Sequence, residues 1–209
     1  MIEELRHRWK LTAKWLSLED ADRDALFAEI LKRHRERHRA YHGLSHLKAL
    51  FNVLEPVWDD IEEPARVELA IWFHDIIYKP LRSDNEAKSA DLAVKRLQKC
   101  GVDPELIKRV DQIIRATAKH QDGGSDNDDA LFLDADFSIL GAPPEIYARY
   151  IAGVRSEFRL VPAPLFKAGR AKFLQHALAQ DRIFHTDYFE NTFGAQAREN
   201  MQRELANIQ

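Results

Sequence analysis

The stretch Pro64-Ala65-Arg66-Val67-Glu68-Leu69-Ala70-Ile71-Trp72-Phe73-His74-Asp75-Ile76-Ile77 is apolar on nearly every side once wound into a helix. Such a helix belongs in the middle of a bundle, covered by others all round. Pro64 suits the first helical position, where a missing N–H costs no bond. Within the run, His74 and Asp75 stand side by side among apolar residues. An ionised carboxylate in such surroundings is costly unless something compensates it. A bound metal ion is one compensator, and imidazole with carboxylate is a common ligand set. The structural alternative is a core histidine bonded to a carbonyl, beside an aspartate paired with an arginine.

Outward from this helix the chain reads as helical throughout. A first helix is expected over residues 2–16, with Leu5, Trp9, Leu11, Trp15 and Leu16 as its apolar set. A second spans about 22–38 and ends in Arg and His, which suit the negative end of the helix dipole. Tyr41-His42-Gly43-Leu44-Ser45-His46 breaks the chain before a third helix, whose Leu47, Leu50, Phe51, Leu54 and Trp58 recur at spacings of three and four. The central helix should run from Pro64 through Ile77. A fifth starts at Ser83 or Asp84 and stops at Gly101. A sixth opens on Asp103-Pro104 and ends near His120. Residues 121–129, glycine-rich and acidic, read as a loop, and 130–140 as a short apolar segment. Further helices are expected from Pro143-Pro144 to about Phe158, over 163–180 and over 188–206. No repeat or low-complexity linker interrupts the pattern, so residues 1–209 are expected to form one all-α domain of about eight to ten helices.

Bulk composition narrows the function. The chain has 209 residues, 45% hydrophobic and 31% charged, with a formal net charge of −3. Chains of this size bury about 70% of their unfolded surface, enough for a substantial core. The negative balance argues against nucleic acid as the main partner. A lone cysteine, Cys100, rules out an intramolecular disulfide and suits a reducing compartment. No apolar leader is read in Met1-Ile2-Glu3-Glu4-Leu5-Arg6, and no run approaches the roughly 18 residues of a membrane span. A cytoplasmic protein without a membrane partner is the expectation.

Three further groups of residues can carry chemistry. His42 and His46 lie four apart and face the same way if the backbone between them is helical, although Gly43 allows them different roles. They can equally be solvated histidines at a helix start. Asp134 and Asp136 again set carboxylates among apolar residues, Asp136 deeper in the run and the better ligand, Asp134 equally a cap or an ion-pair partner. Ser83-Asp84-Asn85-Glu86 has the spacing of a capping box. Its alternative puts Glu86 or Asn85 at the edge of a metal site, against water. Lys79 and Arg82 follow the His74-Asp75 pair closely, with Lys119, Arg155 and Arg170 farther on, and supply the cations that an anionic ligand would need. His120 ends an apolar-faced helix, where it can contact a ligand or only complement the helix end.

The order His46, His74-Asp75, Asp136 resembles the HD-domain superfamily of metal-dependent phosphohydrolases. Tyr41-His42-Gly43-Leu44-Ser45-His46 is similar to the Y-H-N-x-x-H segment of that superfamily, cyclic-nucleotide phosphodiesterases included. Phe73-His74-Asp75-Ile76-Ile77-Tyr78, Asp84-Asn85-Glu86-x-x-Ser89-Ala90, Leu133-Asp134-Ala135-Asp136 through Leu140-Gly141, Arg155-Ser156-Glu157 and Ala197-Arg198-x-Asn200 resemble a bacterial branch of predicted HD phosphohydrolases. The likeness covers about residues 40–200. Gly43 stands where asparagine is usual, and Tyr78 where some branches carry lysine.

The resemblance implies an HD-type helical bundle in which His46, His74, Asp75 and Asp136 are metal ligands and His42 is a proton donor. It implies hydrolysis of a small phosphate ester, a nucleotide among the candidates, by a metal-activated water, with Asp75 in the catalytic centre and Glu86 or Asp134 orienting water. Lys79, Arg82 and His120 would bind substrate. Two imidazoles and two carboxylates suit Mn²⁺, Fe²⁺, Co²⁺, Ni²⁺ or Mg²⁺, and admit Zn²⁺. The main alternative is an HD-fold module that binds metal or nucleotide without turnover. An oxygenase on the same fold would need more histidines. A plain helical interaction domain, with Trp9, Trp15 and Trp58 as anchors, would leave the His74-Asp75 pair unexplained.

Overall fold

The computed structural model describes the backbone of residues 1–122 and 124–208 and the side chains of 1–119 and 124–208. In chain order the helices are α1 (Ile2–Trp15), α2 (Asp20–His34), α3 (Leu44–Leu54), α4 (Pro64–Phe73), α5 (Asn85–Lys99), α6 (Pro104–Ala116), α7 (Asn127–Phe137), α8 (Pro144–Glu157), α9 (Ala163–Leu178), α10 (Asp187–Phe189) and α11 (Ala195–Ile208). Short 3₁₀ turns follow α3, α6 and α7, and a π turn at Glu190–Gly194 joins α10 to α11. No strand occurs among the described residues, and the fold is the expected all-α bundle. No helix among them is long and apolar enough to cross a membrane.

Helix α4 is the hub. Every residue from 66 to 74 is buried, and the helix packs against α1, α3, α5, α6 and α7. Trp72 receives the edge of Trp9 from α1 at 5.5 Å and of Phe27 from α2 at 6.3 Å. The same Trp72 donates Nε1–H to Thr12 Oγ1 at 3.0 Å, and Thr12 in turn donates to the buried Glu68 carboxylate. Trp9, 1% exposed, is therefore core rather than a partner-facing anchor, whereas Trp15 stands half exposed.

The start of α4 is held by residues expected to be loop. Asp126 caps α7 by accepting from Asp129 N at 3.0 Å, so the helix begins at Asn127 and buries Asp128 and Asp129. The reason is Arg66, a buried guanidinium in the first turn of α4 that needs anions around it. Asp126 meets it with two bonds of 2.8 and 2.7 Å, and Asp128 lies 3.1 Å away. Asp128 also accepts from the N–H groups of Glu62 and Glu63, at 2.9 and 2.8 Å, as α4 begins.

The end of α4 also departs from expectation. The helix stops at Phe73 with His74 as its C-cap, rather than continuing to Ile77. The carbonyls of the turn that follows find partners in distant side chains, as buried backbone groups require. Arg39, whose side chain is fully buried, donates to Asp75 O at 2.7 Å, Ile76 O at 3.1 Å and His42 O at 3.0 Å. To do so it leaves α2, which ends at His34, four residues earlier than its basic run suggests.

Helix α5 holds the same turn from the other side. Ser89 Oγ both accepts from Ile77 N and donates to Ile77 O, each at 3.1 Å. Asn85, one turn earlier, does the same for Lys79 N and O at 3.0 Å. The capping box expected at Ser83 and Glu86 does not form, since Asp84 is the N-cap and no side chain caps it. On the far side, Asn200 of α11 donates to Leu140 O and Ala142 O, both at 2.8 Å. Gly141 meets the π turn before α11 so closely that a Cβ would lie 2.5 Å from Phe193 Cβ.

Candidate metal centre

Three separate elements deliver the site. His46 lies in the first turn of α3, His74 and Asp75 just past the end of α4, and Asp136 in the last turn of α7. One donor atom each from His46, His74 and Asp136 lies within 4.8 Å of the others, a group able to hold a metal ion. His46 Nε2 and His74 Nε2 are 3.1 Å apart. Asp136 Oδ1 is 3.1 Å from the first and 3.7 Å from the second. Asp75 Oδ2 approaches the same two nitrogens at 3.9 and 3.3 Å. The histidines are almost wholly buried, while the two carboxylates are 14% exposed.

The donor set fits a cation. His74 Nδ1 donates to Ile71 O at 3.1 Å, which turns Nε2 toward the cluster as a lone pair. Two nitrogens and two carboxylates then face one another and need positive charge between them. Burial opposes protonation of His74, yet Asp75 and then Asp136 overcome it and hold the imidazole up at about 9. Burial works against the Asp75 charge too, but His74 and His42 keep that carboxyl well below its usual range.

Beside the cluster sits a second unit, built on Glu157 at the end of α8. One Glu157 oxygen accepts from the backbone N–H groups of Ala40, Tyr41 and His42, at 2.8, 2.7 and 3.0 Å. The other accepts from His42 Nδ1 and Tyr78 Oη, each at 2.7 Å. Burial would raise this carboxyl, but the His42 bond and the backbone donors lower it to about 2. His42 stacks on Tyr78 at 4.2 Å and lies 5.8 Å from His46, ring to ring. Burial disfavours its charged form, but Asp75 and Glu157 prevail and raise its pKa.

Compared with models of protein families, with curated proteins and with solved structures, the chain matches none.

The site therefore stands on its own geometry, which separates the candidate residues clearly. His46, His74, Asp75 and Asp136 come together, with His42 alongside. Asp134 does not face the cluster. It accepts from His185 N, Thr186 N and Thr186 Oγ1 at 2.7–2.8 Å and so anchors the start of α10. Asn85 spends its amide on Lys79 rather than at the metal site's edge. Glu86 is half-buried in the first turn of α5. Lys79 is exposed. Arg82 turns to Asp84 at 2.6 Å. Arg155 binds the carbonyls of Phe158 and Val161, and Arg170 pairs with Glu204 at 2.8 Å. Lys119 is exposed, and the side chain of His120 lies outside the described residues.

Two residues that hold the site were not singled out by sequence reasoning as contributors. Arg39 is one basic residue in a run of them, with nothing local to mark it. Glu157 carries a faint signal, since a carboxylate in the last turn of a helix opposes the dipole.

Proposed function

We propose that this protein is a metal-dependent hydrolase of small phosphate esters. The observation that carries the reading is the convergence of His46, His74 and Asp136 from three elements within 4.8 Å, with a carboxylate-oriented histidine beside them. A divalent ion there, Mn²⁺, Fe²⁺, Co²⁺, Ni²⁺ or Mg²⁺ by donor type, supplies a Lewis acid that acidifies water and polarises a phosphoryl oxygen. His46, His74 and Asp136 would hold it, with Asp75 beside them. Departure of the alkoxide needs a proton, and His42 is the group placed to give one. Glu157 accepts its Nδ1–H, which fixes the ring's direction and leaves Nε2 as the nitrogen that exchanges the proton. An imidazole titrates close to neutral pH, which suits proton exchange there. The Glu157 bonds to three successive backbone N–H groups set this imidazole on a rigid turn, so little reorganisation is needed.

The test is elemental analysis of the purified protein, then a panel of phosphate esters with added Mn²⁺, Co²⁺, Ni²⁺ and Mg²⁺. His74→Ala and Asp136→Ala should lose bound metal and activity together. His42→Ala should keep the metal and lose turnover by about 10²-fold or more, the usual scale of general-acid catalysis. Full activity in Asp136→Ala with a metal-requiring substrate would reject the assignment. Metal retention without phosphate release from any ester would favour a binding module.

A further inference from the structure

Next to the metal-ligating cluster lies a cleft of about 510 Å³ that reaches His46 and Asp136. Its volume falls within the roughly 300–1,000 Å³ of small-molecule sites. Ala49 and Val53 line it from α3, Ile139 from the turn after α7, Ile146 and Tyr150 from α8, and Phe193 from the π turn. Arg149 is the one lysine or arginine among the described residues that line it, and its side chain is exposed. The nearby arginines are committed elsewhere: Arg39 to backbone carbonyls and Arg170 to Glu204. The chemistry at this wall changes from charged at His46 and Asp136, past Ser45 and Ser138, to mainly apolar beyond.

Resting on the hydrolase reading, we propose that the cleft is the leaving-group subsite, and that the substrate is a phosphate ester of an apolar, ring-sized alcohol. Two facts point this way. With a divalent ion balanced by Asp75 and Asp136, each phosphate beyond the one at the ion needs a cation of its own, and the cleft walls offer one exposed guanidinium. An apolar ring, by contrast, would exchange water for aliphatic and aromatic surface over the length of the cleft. Polyphosphates and sugar phosphates are therefore poor ligands, and a compact aromatic phosphate is a good one.

Binding of phosphonates, whose C–P bond is not hydrolysed, tests this apart from turnover. In excess Mn²⁺, 1-naphthylphosphonate and methylphosphonate are titrated calorimetrically into the wild-type protein, Ile146→Gln and Ala49→Trp. Both substituted positions are exposed, so folding should survive. The wild type should bind the naphthyl compound about tenfold tighter or more, as burial of a fused ring favours. In both variants the preference should fall to within about threefold, with methylphosphonate affinity unchanged, because only the apolar contact is altered. Equal affinities in the wild type, no binding of either compound, or a preference that survives both variants would overturn the proposal. Hydrolysis of 1-naphthyl phosphate by the same samples reports separately on the reaction. A naphthyl preference without turnover would reject hydrolysis and leave the cleft assignment standing.

Discussion

Single buried side chains set the chemistry of this site, and Glu157 shows how. It receives five hydrogen bonds, four of them from Ala40, Tyr41 and His42, more than 110 residues away in sequence. Glu157→Gln replaces one accepting oxygen by a donor that faces His42 or Tyr78. We expect a loss of about 2 kcal/mol in urea denaturation, on the scale of a buried unsatisfied polar group. The His42 imidazole should titrate lower when followed by NMR, because a raising carboxylate is gone. An unchanged His42 titration would show that Glu157 does not govern it. His34 provides a stability test in the opposite electrostatic sense. Burial, then the Arg39 charge, hold its folded pKa down at about 3 against an ordinary 6.5. The unfolded chain thus binds a proton that the folded one refuses. This contribution is complete above the ordinary pKa and disappears as pH falls through the interval toward the folded one. Between pH 6.5 and 5 the wild type should lose up to about 1.4 kcal/mol per pH unit relative to His34→Leu. Parallel pH profiles for the two proteins would rule out this role.

At the element scale, the turn after α4 is the part that must be built with care. It carries Asp75, and it is gripped by Arg39 on one side and by Asn85 and Ser89 on the other. Asn85→Ala and Ser89→Ala each unpair backbone groups of this turn. Each should cost about 1–3 kcal/mol, and the double variant less than the sum, since both loosen one segment. Amide hydrogen exchange at Ile77 and Lys79 should quicken in parallel. Unaltered protection there would contradict the clasp. The element boundaries also show where periodicity stops being informative. Apolar spacing carries α4 on to Ile77, yet the helix ends at Phe73, and distant partners take the carbonyls of the turn beyond it. The acidic 126–129 segment looks solvated, yet it forms the first turn of α7 because Arg66 needs its carboxylates.

On the scale of the whole molecule, the candidate centre ties α3, α4 and α7 together. An ion that binds only the folded chain stabilises it by mass action. With Mn²⁺ at 100 times its dissociation constant the gain is about 2.7 kcal/mol, or a rise in Tm of roughly 5–11 °C for a chain of this size. Asp136→Ala should abolish that rise and hydrolysis together, while His42→Ala should keep it. A wild-type Tm insensitive to Mn²⁺, Co²⁺, Ni²⁺ and Mg²⁺ would remove the metal from the account. The all-helical class and the central place of α4 were legible beforehand, because an unbroken apolar helix is written locally; the apolar run marked the His74-Asp75 pair, while its grouping with His46 and Asp136 came from the resemblance. The Arg39 staple, the Glu157 hub, the Asn85–Ser89 clasp and the apolar cleft were not legible. Each depends on groups far apart in the chain finding one another, and hydrogen bonding and shape at such distances leave no periodicity to read. Composition and spacing by themselves determined which residues could not remain alone in a core. Only the packed bundle decided which partners they took, because a buried polar group is satisfied by whatever the tertiary fold brings within about 3 Å.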